Sequence, residues 1–161
     1  MATEAAFPKT PVDEIQLREL PAGCWLSTSM EGKYFDESGN LFRRLFDYIN
    51  ERDISMTVPV EGGIDRAEMR FYAGDRVEPL EHSDTVRVVE VPARRVVSIG
   101  GKGAYSEENV NAALARLEEW LIQHELAAAD APYAVYWNGP FTPWFLKRFE
   151  VHIPVEAAGS L

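Results

Sequence analysis

The stretch Leu41-Phe42-Arg43-Arg44-Leu45-Phe46-Asp47-Tyr48-Ile49, followed by Ile54-Ser55-Met56-Thr57-Val58-Pro59-Val60, decides the expected fold. In the first part, apolar residues recur every three or four positions, which predicts an amphipathic helix over about residues 41–52. The second part predicts a strand over residues 54–60. After a turn at Gly62-Gly63, residues 67–72 alternate between apolar and polar types, which predicts a strand with one buried face.

The same order of patterns occurs in both halves of the chain. The other predicted strands lie at about residues 15–20, 24–28, 85–91, 94–99, 133–137 and 149–155. Ser38 and Ser106 are the candidate N-caps of the two helices, and the second helix is predicted to end near residue 127. The halves begin about 70 to 80 residues apart. This predicts an α+β fold in which duplicated β-β-α-β-β units form a curved antiparallel sheet or distorted barrel with two packed helices.

Composition and charge restrict the domain organisation and the function classes. The chain has 161 residues, 16 Lys and Arg against 26 Asp and Glu, and a formal net charge of −10. We expect one domain over residues 13–155, between a flexible N-terminal arm (residues 1–12) and a flexible tail (residues 156–161). The acidic balance disfavours nucleic acid and anionic membranes as partners. A single cysteine, Cys24, excludes an internal disulfide and a cysteine-based zinc site. No segment has the pattern of a signal peptide or a membrane span, which predicts a cytoplasmic location.

Several phrases of the sequence resemble one known family. They are Met56-Thr57-Val58-Pro59-Val60, Met69-Arg70-Phe71-Tyr72, Thr85-Val86-Arg87 and the segment from Asn138-Gly139-Pro140-Phe141 to Arg148-Phe149-Glu150-Val151. In combination they resemble the SOUL haem-binding family, which is related to the gyrase-inhibitor-like effector-binding domains. The resemblance covers about residues 12–155. It implies a distorted antiparallel barrel with two helices on its outside.

The resemblance also implies a ligand and a place for it. The ligand is haem or another tetrapyrrole, held without a covalent bond in a shallow apolar groove beside the first helix. Carried over to this chain, Met56, Phe141 and Trp144 form the apolar slot, and Arg44 and Lys147 bind the propionates. For Met56, filling of the core is an equally good interpretation. Trp144 lies in a proline-framed loop, which favours an exposed ligand contact.

Glu150 is the candidate for a different chemistry. A carboxylate in an apolar cleft can bind a cation or act as an acid or base, and in the related effector-binding domains a strand glutamate meets cationic ligands. Glu68 lies at a similar place in the first half, but an outward glutamate paired with an arginine is the better interpretation there. His152 is expected to face outward together with Glu150. No axial haem ligand is predicted among the histidines, Cys24 or Met56.

Three functions follow from these observations. The first is a non-catalytic carrier or buffer for haem or a related flat porphyrin. The second is a gyrase-inhibitor-like small-molecule binder or hydrolase that uses Glu150. The third is an interaction module without a ligand of its own, for which the sequence specifies no protein partner.

Overall fold

A computed structural model describes residues 4–75, 79–139 and 142–156. It contains β1 (Ile15–Leu20), β2 (Gly23–Ser29), α1 (Tyr34–Glu51), β3 (Val60–Gly63), β4 (Glu68–Tyr72), β5 (Arg87–Val91), β6 (Arg94–Lys102), α2 (Glu107–Gln123), β7 (Tyr133–Tyr136) and β8 (Arg148–Val155). A short 3-10 helix, Trp144–Leu146, precedes β8. None of the described helices is long and apolar enough to cross a membrane.

The eight strands form one sheet in the order β1-β6-β8-β7-β3-β4-β2-β5, and each neighbouring pair is antiparallel. The sheet curls into a half-barrel. The predicted α+β class, with a curved antiparallel sheet and two helices, is therefore confirmed. The strand order is symmetric about the middle of the sheet. If β1, β2, β3 and β4 are exchanged with β5, β6, β7 and β8, respectively, the order read from one edge becomes the order read from the other edge. Each outermost strand pairs with a strand of the other half of the chain.

Both helices pack on one face of the sheet, which we call the helix face. The largest core cluster lies there and includes Leu41, Leu45, Leu117, Phe71, Ile99 and Val151, all of them almost fully buried. The N-cap of α2 is Ser106, as predicted, and its Oγ accepts a hydrogen bond from the backbone N–H of Asn109 at 3.1 Å. This bond satisfies one of the free N–H groups at the helix start.

Helix α1 begins at Tyr34, seven residues before the predicted start, and its N-cap is Lys33 rather than Ser38. The buried side chain of Tyr34 extends the apolar stripe two turns upstream of Leu41. Gly39 between them suggested a loop, but the burial of Tyr34 outweighs the cost of one glycine, which is about 1 kcal/mol.

The strand predicted over residues 54–60 is wrong for all but its last residue. Val60 begins β3, and the preceding segment makes only an isolated bridge between Val58 and Ala5. Pro59 has no N–H to donate to a ladder, and the Thr57 hydroxyl bonds to the carbonyl oxygen of Tyr72 instead of a strand partner. The predicted turn at Gly62-Gly63 is part of β3.

Residues 4–12 do not form the loose arm that the sequence suggested. They cross the face of the sheet opposite the helices, which we call the inner face, and we name them the N-terminal strap. Phe7 and Thr10 are both buried, and Phe7 belongs to a second core cluster with Trp25, Tyr133 and Trp137. Two isolated bridges, from Ala5 to Val58 and from Val12 to Gly100, fix the ends of the strap. The gain from burying these side chains explains why a proline-containing segment is held here.

Candidate functional site

Two adjoining cavities of about 280 Å³ each form a groove between α1, residues 56–58 and the segment that follows β7. We call this the α1 groove. Its walls are Tyr34, Phe35, Ser38, Gly39, Phe42, Phe46, Met56, Thr57, Val58, Val60, Met69, Tyr105, Tyr136, Trp137, Asn138, Gly139 and Lys147. Four of these residues, Phe42, Val60, Tyr136 and Asn138, line both cavities, so the groove is continuous. Together the cavities fall within the range of about 300–1,000 Å³ that is typical of small-molecule sites.

Aromatic rings form much of the groove wall. Phe42 and Phe46, one helical turn apart on α1, stack with centroids 5.7 Å apart. On the opposite side, Tyr105 and Tyr136 lie with centroids 4.3 Å apart. Burial raises the pKa of each of these two phenols to about 12, so both hydroxyls stay neutral at physiological pH. The groove therefore presents flat apolar surfaces with few charges.

Lys147 supplies positive charge at one end of the groove. Its Nζ lies 4.8 Å from the centroid of the Tyr105 ring, a distance suited to a cation–π contact. The Tyr105 hydroxyl donates to the carbonyl oxygen of Arg148 at 2.9 Å and accepts from the backbone N–H of Asn138 at 2.9 Å. These bonds hold the aromatic ring beneath the lysine and so fix where the charge can lie.

The structure brings together only some of the residues predicted for the haem site. Met56 and Lys147 line the α1 groove. Trp144 lies in the 3-10 helix, is 66% exposed and does not line the groove. Phe141 lies outside the described residues.

Arg44 is not brought to the α1 groove. It lies on another side of α1 and donates from Nη1 to the carbonyl oxygen of Ser29 at 3.1 Å. Successive helix residues are separated by roughly 100°, so Arg44 projects about 200° away from Phe42. Arg43, which the sequence analysis did not single out, is exposed and follows Gly39 by one helical turn. Arg43 lines neither cavity, but by the same rotation it projects only about 100° from Phe42, nearer to the groove than Arg44 does.

Glu150 lies on the inner face and is almost fully buried, with 1% of its surface exposed. Its Oε2 accepts from the Thr10 backbone N–H at 2.8 Å and from Trp137 Nε1 at 2.7 Å. Its Oε1 accepts from the Thr10 hydroxyl at 2.9 Å and lies 2.8 Å from His152 Nε2. Burial alone would raise the pKa of Glu150, but His152 and Thr10 lower it below its usual value. The carboxylate is thus charged and fully hydrogen-bonded.

The predicted outward orientation of His152 and Glu150 is wrong, because both side chains are buried beneath the N-terminal strap. His152 Nδ1 lies 3.1 Å from the Tyr133 hydroxyl, and the Phe7 ring lies 5.8 Å from the imidazole. The local sequence pattern gives no sign that residues 4–12 cover the inner face, and without that cover these side chains are expected to face solvent. Glu68, in contrast, is partly exposed and lies 3.7 Å from Arg66, which agrees with the interpretation as an ordinary ion pair.

Glu61 carries a second buried carboxylate, which no sequence pattern singles out. Its Oε2 accepts from Arg94 Nη2 at 2.8 Å, and its Oε1 bonds to Arg70 Nη2. Burial would raise the pKa of Glu61, but the two arginines lower it instead. Arg94 lies on β6, separated from β3 by two intervening strands, so the sheet must be curled for this contact to form. The segment around Glu61 was predicted to lead into a turn, which hid its place on the inner face.

The described residues contain no group of three or more His, Cys, Asp or Glu side chains that could hold a metal ion. The three histidines all lie away from the α1 groove. His82 lines a cavity beside β2 and β5, His124 caps the end of α2 and stacks on Trp120, and His152 is buried on the inner face.

Comparisons with known proteins support this fold and place the chain in a family. No curated protein sequence matches the chain. The EcmrR–DNA complex solved by cryo-EM is similar with a TM-score of 0.74 and 16% identity, over 89% of this chain but only 57% of that chain. A hydrolase from Listeria innocua has a TM-score of 0.62 and 14% identity, over 91% of this chain and 94% of its own. SAV2435 bound to tetraphenylphosphonium has a TM-score of 0.55 and 13% identity, over 89% and 94%.

These structural similarities show a shared fold, since the identities are low. The family is shown by the sequence, which matches the model of the SOUL heme-binding protein family over residues 6–154, nearly the whole chain. The resemblance inferred from the motifs is thereby confirmed. The chain belongs to the SOUL heme-binding protein family.

Proposed function

We propose that this chain binds haem or a related tetrapyrrole in the α1 groove and acts as a non-catalytic carrier or buffer for it. The observation that carries the proposal is a continuous, aromatic-walled groove with a lysine at one end. A tetrapyrrole with propionate groups has the matching chemistry, because it is a flat apolar ring with carboxylates at its edge. Membership of a heme-binding family supports the same ligand class.

The residues of the groove fit the macrocycle by packing and by charge. Phe42, Phe46 and Met56 offer an apolar surface on one side, and Tyr105 and Tyr136 offer another. Burial of apolar area contributes about 25 cal/mol per Å², so a flat ring gains most when both of its faces are covered. Lys147, with Arg43 on the flank of α1, would bind the carboxylates.

The residues that line the α1 groove are better suited to packing against the porphyrin ring than to coordinating the haem iron. Haem iron in proteins is held most often by histidine or cysteine, and sometimes by methionine or tyrosine. No histidine or cysteine is among the described residues that line the groove, whereas Met56, Tyr105 and Tyr136 are. When bound, haem would bring its iron chemistry to this site. The chain itself holds the ring by apolar contact and charge, as a reversible carrier requires.

A titration of the purified protein with hemin tests the proposal. We expect a saturable shift of the Soret band. Met56→Ala should weaken binding about tenfold through lost apolar contact. Lys147→Ala should weaken it about two- to fivefold, because its ammonium is partly exposed to solvent. Arg44→Ala is the matched control, since it removes a cation from the far side of α1. The absence of a saturable shift, or equal weakening by Lys147→Ala and Arg44→Ala, would contradict binding in the α1 groove.

The alternative prediction, a small-molecule binder or hydrolase acting through Glu150, lacks comparable geometric support. Both carboxyl oxygens of Glu150 already accept hydrogen bonds, and the N-terminal strap covers them. It stays a prediction that the same preparation can test, because one protein of similar fold was solved with tetraphenylphosphonium. Binding of tetraphenylphosphonium that is lost in Glu150→Gln would favour this alternative over the carrier.

A further inference from the structure

A third cavity of about 280 Å³ lies on the inner face and shares no lining residue with the α1 groove. We call it the arginine pocket. Its charged lining residues are Glu61, Asp65, Arg66, Glu68, Arg70, Arg94 and Asp130. Its apolar walls include Val91, Pro92, Pro132, Tyr133 and Pro154. The proposed carrier function does not use this pocket.

Two guanidinium groups and one carboxylate form the deepest part of the pocket. The side chains of Arg94, Arg70 and Glu61 are 15%, 21% and 1% exposed. Each guanidinium lies between two rings, with its carbon 5.3–5.8 Å from the centroids of Trp25 and Tyr133. Among the described residues, Glu61 is the only carboxylate within ion-pair distance of either arginine. The three groups therefore carry one surplus positive charge.

This surplus positive charge is unusual because the chain as a whole is acidic and because the three groups are largely buried. The whole chain has a net charge of −10, and buried charges are ordinarily paired because an unpaired one is costly to desolvate. Both arginines line the cavity and remain partly exposed. An arginine pair holds more N–H donors than one carboxylate can accept. The deepest part of the pocket therefore still has donors and charge available to an acceptor.

Acidic residues at the mouth of the pocket limit the charge of what can enter. Asp65 and Asp130 are exposed, so solvent screens them, whereas the arginines are largely sheltered from solvent. Glu68 lies 3.7 Å from Arg66, and this pair contributes little net charge. A dianion would be repelled at the mouth more strongly than a monoanion. A cation would be repelled by Arg70 and Arg94 in the deepest part of the pocket.

We propose that the arginine pocket binds a small organic monoanion, a carboxylate on a compact apolar body. The carboxylate accepts from Arg70 and Arg94, whose planar forks suit carboxylate geometry. The apolar body lies against the proline and tyrosine walls. The volume limits the body to about the size of a single ring, because sites for drug-sized ligands begin at about 300 Å³.

Benzoate and its neutral, nearly isosteric analogue benzamide are the probes that test this pocket. In a titration followed by two-dimensional amide NMR, benzoate should bind saturably, and benzamide should bind at least about tenfold more weakly. Benzoate should bind equally well to protein saturated with hemin, because the two sites share no residue. Equal affinity for benzoate and benzamide, or no saturable binding of benzoate, would overturn the proposal, whatever the outcome of the hemin titration.

Variants locate the binding within the pocket. Arg70→Gln should weaken benzoate binding about tenfold or more, whereas Arg116→Gln, the same change at an exposed position of α2 that does not line the pocket, should alter it less than about twofold. Asp130→Asn carries no folding risk because the side chain is exposed, and it should strengthen binding about twofold at low salt but not at high salt. If Arg70→Gln does not fold, the benzoate affinity of Asp130→Asn at low salt becomes the deciding measurement. An unchanged affinity in Asp130→Asn at low salt would then refute the site.

Discussion

Gly100→Ala tests how closely the N-terminal strap is tied to the sheet. Gly100 lies in β6, and a Cβ built on it would lie 2.6 Å from the carbonyl oxygen of Thr10 and closer still to that of Pro11. Ordinary contact begins at 3.4 Å, so the Thr10 carbonyl alone must retreat by about 0.8 Å. Both obstructing atoms belong to the backbone, so no side-chain rotation can relieve the overlap.

The cost of this displacement follows from the bonds that Thr10 makes. Its backbone N–H and its hydroxyl both donate to Glu150, at 2.8 and 2.9 Å. A hydrogen bond to a charged group contributes about 1.5–3 kcal/mol, and its loss leaves a buried carboxylate short of donors. Alanine regains about 0.5–1 kcal/mol from reduced backbone freedom in the unfolded chain. With both bonds lost, we therefore expect Gly100→Ala to lower the free energy of unfolding by about 2–5 kcal/mol.

Urea denaturation, followed by circular dichroism and tryptophan fluorescence, measures this change. Gly39→Ala is the matched control, because nothing lies within 4 Å of a Cβ built on Gly39 and the residue lies inside α1. That variant should raise the free energy of unfolding by about 0.5–1 kcal/mol. Replacement of glycine by alanine is thus expected to lower the free energy of unfolding at Gly100 and to raise it at Gly39. A Gly100→Ala protein as stable as the wild type would refute the tight apposition of strap and sheet.

Two further predictions concern stability. Glu61 and Glu150 each have a pKa below the ordinary value of 4.5 in the folded protein, so the stability that they provide is complete above about pH 4.5 and is lost progressively as the pH falls from there through their lower folded-state pKa. Urea midpoints measured from pH 7 to pH 3 should show this loss, and Glu150→Gln should reduce the slope; an unchanged slope would contradict it. Ser106→Ala should cost about 1 kcal/mol through the lost N-cap of α2, whereas Ser38→Ala, inside α1, should not destabilise the protein. Thermal denaturation of the two serine variants distinguishes a true cap from the predicted one.

The secondary structure was predictable where local signals agreed. Ser106, the acidic first turn and the apolar stripe all pointed to α2, and the structure begins that helix at Glu107. For α1 the signals conflicted, since Gly39 interrupted a stripe that Tyr34 continues upstream. The strand predicted for the segment before β3 was wrong for a related reason, since local and non-local signals conflicted there as well. β-branched residues around Pro59 favour a strand locally, but proline cannot complete a ladder.

The two sites differed in how far the sequence could predict them. The α1 groove followed from a family resemblance, and Met56 and Lys147 do line it. The inner-face networks depend on which strands are neighbours, and no local pattern carries that information. Glu61 meets Arg94 only because β6 and β3 approach each other across a curled sheet. Glu150 is sealed only because Phe7 and Thr10 lie over it.

One row of cross-strand neighbours explains why the two halves of the inner face differ. Along it lie Arg70, Glu61, Val135 and Glu150, on β4, β3, β7 and β8. Because the strand order reads the same from both edges, Arg70 and Glu150 occupy matching positions, where the sequence had suggested Glu68 and Glu150. The matching positions thus carry opposite charges. The carboxylate is covered by the N-terminal strap, which donates to it, whereas the guanidinium faces an open cavity. The accessible half of the inner face therefore presents guanidinium groups to a cavity, and these are the groups to which our proposal assigns the binding of an anion.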